Sequence, residues 1–256
     1  MKKYKILVLM MVFMGLIIGI GFSQDKARSS LDVNFYKAAL YYDEAKYDKA
    51  IGEYNKILNQ EYESGNLYYN LGNCYYKKGL LPQAIAYYEK AKRFIPRDAD
   101  LIENIKYVQS KITKSYQEPR SNFMKYIISK TFGKMNINEI MIFIFIVNII
   151  VCVLLVLRII FMSLRRYFLY PLLIFCVIGV ITVYSSAQRV AKLGKEAIVV
   201  SAEAVVKFEP QDSATTHYII YGGEKVILIS RDKNWHKVRR LDGKVGWIKV
   251  QDLKII

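Results

Sequence analysis

Histidine, cysteine and tryptophan are scarce in this chain: two, three and two residues among 256. Cys74, Cys152 and Cys176 have neither the even count nor the spacing of a disulfide framework or a zinc site. Cys74, set among tyrosines, reads as a small buried hydrophobe before it reads as a reactive thiol. His217 and His236 stand in one C-terminal stretch with no cysteine beside them, which excludes the Cys–His pair of a wall-cutting peptidase. Gly222-Gly223 is a turn with no helix after it, so no phosphate-binding glycine loop is present. The acids of "DADLIEN" (Asp98, Asp100, Glu103) lack calcium-loop spacing and suit the positive start of a helix. These absences point to a non-enzymatic chain with no cofactor and no metal. The 38 Lys and Arg outnumber 22 Asp and Glu, for a net charge of +16, yet no basic run of the nucleic-acid-binding kind occurs. Anionic lipid headgroups are the simpler source of attraction.

What the chain does have is apolar runs in three blocks. The first, "MKKYKILVLMMVFMGLIIGIGFSQ", has a basic head, an uncharged apolar stretch and the small residues Gly21 and Ser23 before Gln24. It reads as a signal peptide over 1–23, with an uncleaved anchor as the alternative; either way the following segment is exported. The other two blocks predict membrane-spanning helices at 139–162 and 167–186, each near the roughly 20 apolar residues a bilayer requires, joined by a cytoplasmic turn at 163–166. Asn136 followed by Glu139 predicts a capping box at the first span. Asn148 falls in mid-membrane and needs a polar partner, either Thr182 or Ser185 or another protein's helix. Segment 117–138 is a linker in which Phe123, Met124, Ile127 and Ile128 share one helical face; an interfacial helix and a solvated linker fit it equally. The signal-like start places both soluble parts on the periplasmic side of a bacterial cytoplasmic membrane.

Between these blocks the chain repeats itself. A shift of 34 residues lays Ala38 on Gly72, Tyr41 on Tyr75, Ala50 on Ala84, Ile51 on Ile85 and Tyr54 on Tyr88. That period belongs to tetratricopeptide helix hairpins. Gly72 and Ala84 are expected to face each other where antiparallel helices cross, with Tyr75 and Tyr88 filling the space beside them. Leu101, Ile105, Val108 and Ile112 stripe a third, capping helix. Residues 24–116 thus read as two repeats plus a cap, a short array for which marginal stability alone, or support from a partner, is expected. In such arrays the first helices of each pair line a groove. That puts Phe35 and Tyr42 of repeat one, and Tyr69, Asn73, Tyr76 and Lys77 of repeat two, at a candidate protein-binding surface, tyrosines supplying rigid contact area and Asn73 two hydrogen bonds to a peptide backbone. Asp100 and Glu103 occupy the third helix where a carboxylate clamp would need cations, so capture of a C-terminal carboxylate is not expected.

After a linker at 187–195, residues 196–256 change to short β-prone runs separated by turns, including Gly222-Gly223 and Asp242-Gly243. The pattern Gly223–Val226, Trp235, Val238, Asp242-Gly243 and Gly246-Trp247-Ile248 resembles a bacterial SH3 domain and implies a small SH3-like β-barrel. If Val238 and Ile248 are core, strand alternation sends Trp235 and Trp247 to the outer face, as a ligand patch for peptide or glycan or as lids on the barrel end. His236, beside Trp235, is expected at the surface.

The expected fold is therefore multi-domain: a helical tetratricopeptide array, two transmembrane helices and a terminal barrel. That order, with the run "LYYNLGNCYYKKGLLPQAIAYYEKAKRFIPRDADLIENI", resembles the E-type proteins of Bat (Bacteroides aerotolerance) operons. The resemblance implies partners among membrane-anchored von Willebrand A-type proteins and other Bat-like components, and a scaffold or adaptor role in an envelope complex tied to stress or oxygen tolerance. An envelope sensor or anchor whose barrel contacts peptidoglycan is the alternative.

Overall fold

The computed structural model describes residues 25–112, 135–161, 166–191 and 193–256. The expected signal segment, the interfacial helix at Phe123–Ile128 and most of the turn at 163–166 lie outside the described residues. The chain divides into two units, Met1–Glu61 and Tyr62–Ile256.

In the first unit, helices α1 (Asp25–Asp43) and α2 (Tyr47–Leu58) form a hairpin. Ala38 and Ala50 are fully buried, and Tyr54 meets the Phe35 ring edge-on at 5.5 Å. Small residues permit the close approach and Tyr54 fills the volume beside it, at roughly 1.5–3 kcal/mol for a fully buried large side chain.

The second unit opens with the hairpin α3 (Gly65–Lys77) and α4 (Leu81–Phe94), followed by α5 (Ala99–Lys111). Ser64 caps α3 by accepting from the Leu67 amide at 3.2 Å, and Asp98 caps α5 by accepting from Leu101 at 2.8 Å. Pro82 sits in the first turn of α4, where a missing amide hydrogen costs nothing. Gly72 packs at the helix crossing, with the Tyr88 ring beside it as the repeat suggests. The atoms nearest a Cβ built on Gly72 are those of the Tyr88 ring, at 2.4 Å, so the ring lies flat on the glycine. Tyr75 stacks on Tyr87 at 5.0 Å with nearly parallel planes.

Helices α6 (Ile137–Ile160) and α7 (Leu169–Val190) contain spans Asn138–Arg158 and Leu169–Gln188 that are long and apolar enough to cross a membrane. The Asn136–Glu139 capping box forms as its spacing predicts: Asn136 Oδ1 accepts from the Glu139 amide at 2.8 Å, and Glu139 Oε2 from the Asn136 amide at 2.9 Å. Val147 packs at Gly179, and Thr182 and Ser185 are buried. Asn148 pairs with neither; it is exposed and donates to the Ile144 carbonyl of its own helix at 3.3 Å.

The C-terminal region corrects the expected barrel. Strands β1 (Glu196–Val199), β2 (Glu203–Lys207), β3 (Thr216–Tyr221), β4 (Lys225–Asp232), β5 (Trp235–Arg240), β6 (Val245–Lys249) and β7 (Leu253–Ile255) make one antiparallel sheet in the order β3-β2-β6-β5-β4-β1-β7. The residues that carry the SH3 resemblance do form the β4–β5–β6 meander, with Leu228 opposite Val238 and Val238 opposite Gly246. The ring nevertheless stays open. A short 3-10 turn (Val250–Asp252) delivers β7 to the free edge of β1, where Ala197 pairs with Ile255, and among the described residues β3 has no strand on its outer side. Irregularities at Leu228/Ser230 and Val206/Lys207 curl the sheet enough for Val199, Val206, Ile220, Val226, Val238 and Ile248 to share one core. The architecture is a curved open sheet, not an SH3-type barrel.

This sheet packs on α4 through β1 and β7. The Gly222-Gly223 turn makes the approach close: a Cβ on Gly222 would meet Pro82 at 2.6 Å, and one on Gly223, whose φ is +87°, would meet Ile112 at 2.7 Å. Lys225 Nζ reaches Glu89 on α4 at 2.9 Å, and Lys254 Nζ lies 5.0 Å above the Tyr87 ring. Support for the short helical array thus comes from within the chain, from a sheet covering α4.

Candidate functional site

One face of α3 carries Tyr69, Asn73, Tyr76 and Lys77, four and three or four residues apart, the spacing that lines side chains along a helix. Lys77 is exposed and the others are half-buried. Helix α5 adds Asn104, Tyr107 and Lys111 alongside. Asn104 Nδ2 donates to the Tyr69 hydroxyl at 2.9 Å, and Tyr76 meets Tyr107 edge-on at 6.0 Å. A hydrogen bond with Tyr76 and the nearby Lys111 ammonium hold Tyr107 below its ordinary phenol value, while Tyr76 is held above its own. The face is therefore a fixed lattice of hydroxyls and rings with cations at its end. Asn73 is less available than its sequence position implies, because its Oδ1 already accepts from the Tyr88 hydroxyl at 2.7 Å. Its amide nitrogen is the half left for an incoming peptide carbonyl. Phe35 and Tyr42 belong to the first unit, where Phe35 packs on Tyr54 and Tyr42 meets Tyr47 edge-on at 5.5 Å.

The two tryptophans do not form an open pair. Val238 and Ile248 are both in the core, so Trp235 and Trp247 fall on the opposite face, diagonal to each other across the β5–β6 pairing. Lysines occupy the other diagonal: Lys249 Nζ stands 5.5 Å from the Trp235 ring and Lys237 Nζ 5.8 Å from Trp247. Trp235 is only 7% exposed, and Trp247 is half-buried. His236 is likewise buried, at 7%, because it shares a strand face with Val238, and burial lowers its pKa. His217 stacks on Phe208 at 4.2 Å.

Among the described residues no set of three or more His, Cys, Asp or Glu can hold a metal ion. Burial pushes the Cys74 thiol up to about 12, which keeps it protonated and unreactive at neutral pH.

Reasoning from the sequence missed two features of this unit. One is the Glu89–Lys225 pair between α4 and the sheet. Burial pushes the Glu89 carboxyl up, but Lys225 and Lys92 outweigh it and hold the group below its usual range. The other is a cavity beside α4 that draws on residues from Glu63 to Ile256. The sequence signal for either is faint: charged residues on a helix face that the repeat pattern alone assigns to solvent.

The sequence profile of the tetratricopeptide repeat family matches residues 65–98, which are α3, α4 and the turn into α5. No curated protein matches the chain. Fold and comparison together give a helical-repeat domain joined to two membrane-length helices, the make-up of a membrane-anchored protein-interaction module.

Proposed function

We propose that this chain is a scaffold that captures protein segments on the Tyr69–Asn73–Tyr76–Lys77 face of α3, with its soluble parts outside the cytoplasmic membrane. The observation that carries the reading is that face itself. It lies in the segment matched to an interaction repeat, and its aromatic groups are held in place by α5 yet remain part-exposed. Rigid tyrosines contribute contact area at small entropic cost. The membrane helices confine the face to two dimensions, so that weak contacts act at high effective concentration. The open sheet braces the array by covering α4. The resemblance to E-type Bat proteins names the first partners to test, von Willebrand A-type membrane proteins of a Bat-like envelope assembly. The peptidoglycan alternative loses the closed barrel and the open indole pair from which it was argued.

The test is photo-crosslinking in whole membranes from an unnatural residue at Tyr69 and, separately, at Lys77. A discrete adduct from both positions, absent when the probe replaces Arg239 on the sheet, is the expected result. Silence at both α3 positions removes the proposal.

A further inference from the structure

A cavity of about 440 Å3 opens where α4 meets the start of α6 and the segment after α7. Its lining includes Tyr68, Lys90, Arg93, Phe94, Asn138 and Leu193, with Glu63 at the side. We infer that it seats the phosphate headgroup of an anionic phospholipid, with Lys90 and Arg93 as cationic partners and Phe94 and Leu193 against the upper acyl chain.

Position is the first argument. Asn138 lines the cavity and is also the first residue of the span Asn138–Arg158. Leu193 follows closely on the end of α7 at Val190. Both spans therefore meet the bilayer surface beside the cavity, at headgroup depth. The end of α4 is held there: Asn136 Nδ2 donates to the Phe94 carbonyl at 3.3 Å, and Arg97 pairs with Glu139.

Charge is the second. Lys90 and Arg93 stand one turn apart on α4, and among the described residues neither forms an ion pair. Glu63, the carboxylate side chain in the lining, is already engaged by the Tyr68 hydroxyl at 2.6 Å. Lys90 Nζ rests 5.2 Å from the Tyr68 ring, which orients the ammonium without neutralising it. Lys254, above Tyr87, adds a third cation nearby. Burial, followed by Lys254, depresses the Lys90 pKa, with Arg93 adding to the effect and Glu63 opposing it. A bound anion relieves that crowding. The volume lies within the roughly 300–1,000 Å3 of small-ligand sites. A free phosphate offers the same charge but leaves the apolar side, Phe94 and Leu193, without an occupant.

The full chain, purified in mild detergent and equilibrated with vesicles of phosphatidylcholine and phosphatidylglycerol in equal parts, is examined for retained lipid by native mass spectrometry. Phosphatidylglycerol is retained preferentially. Lys90→Gln with Arg93→Gln lowers that preference about 25-fold, taking about fivefold per basic residue near an anionic surface. Lys106→Gln with Arg239→Gln removes the same charge from exposed sites elsewhere and leaves the preference intact. If the double variant fails to fold, Arg93→Gln alone still reads out at about fivefold, and Lys90→Arg preserves binding. Equal retention of the two lipids, an equal loss in the Lys106/Arg239 control, or displacement of the lipid by inorganic phosphate overturns the inference.

Discussion

Replacing Lys225 by Met leaves the Glu89 carboxylate in the seam between α4 and β4 with its main counter-ion gone. The Glu89 side chain is 12% exposed and its next cation, Lys92, is 4.0 Å away. Breaking a buried pair by removing one partner costs about 3–5 kcal/mol, and the residual exposure and Lys92 place this case near 3. The converse change, Glu89→Gln, costs less, about 1–2 kcal/mol, because Lys225 keeps Glu196 at 3.8 Å and is itself 23% exposed. The double variant is therefore no worse than Glu89→Gln alone, a coupling of about 3 kcal/mol. Amide hydrogen exchange on the full chain in micelles reads this locally. In Lys225→Met, β1 opens about a hundredfold more often, while α6 and α7 are unaffected. Acid gives the same answer with a sign. The Glu89 carboxyl is held below its ordinary 4.5, so its contribution is whole above that value and is lost as pH falls through the lowered one. Intrinsic-rate-corrected exchange at β1 should rise below about pH 4.5 in the parent and stay flat in Glu89→Gln. Strict additivity of the two substitutions, or a parent and variant that respond alike to acid, refutes the seam as an electrostatic clasp.

Gly72→Ala puts a methyl group 2.4 Å from a Tyr88 ring whose hydroxyl is tied to Asn73, so the ring cannot swing aside freely. Thermal unfolding should show a loss of about 1–3 kcal/mol, partly recovered by adding Tyr88→Leu, and an unchanged melting curve contradicts the packing described. For topology, single cysteines introduced at the exposed positions Lys77 and Arg239, in a background lacking Cys152 and Cys176, should react with an impermeant maleimide in intact cells. Cys74 stays silent because its thiol is buried and held near 12. Labelling that requires permeabilised cells puts both soluble parts in the cytosol and defeats the proposed location.

Helix hairpins, caps and spans were legible in the sequence because their causes are local. Gly72, Ala84 and Tyr88 recur at a repeat's spacing, Asn136 and Glu139 lie three residues apart, and apolar runs of bilayer length have few other uses. With Val238 and Ile248 in the core, strand alternation also fixed the face on which Trp235 and Trp247 lie. Only the tertiary structure decided the rest, since it depends on partners far apart in the chain. Whether a curved sheet closes is settled by which edge receives the last strand, and β7 took the edge of β1 although nothing in "LKI" names that choice. Trp235 is buried although it faces away from the core, and His236 is buried because it shares the face of Val238. Glu89 finds Lys225 across 136 positions, and the cavity joins Tyr68, Lys90, Asn138 and Leu193 from four separate stretches. Side-chain periodicity records which face of an element is apolar; it holds no record of what that face, or the charges beside it, will meet.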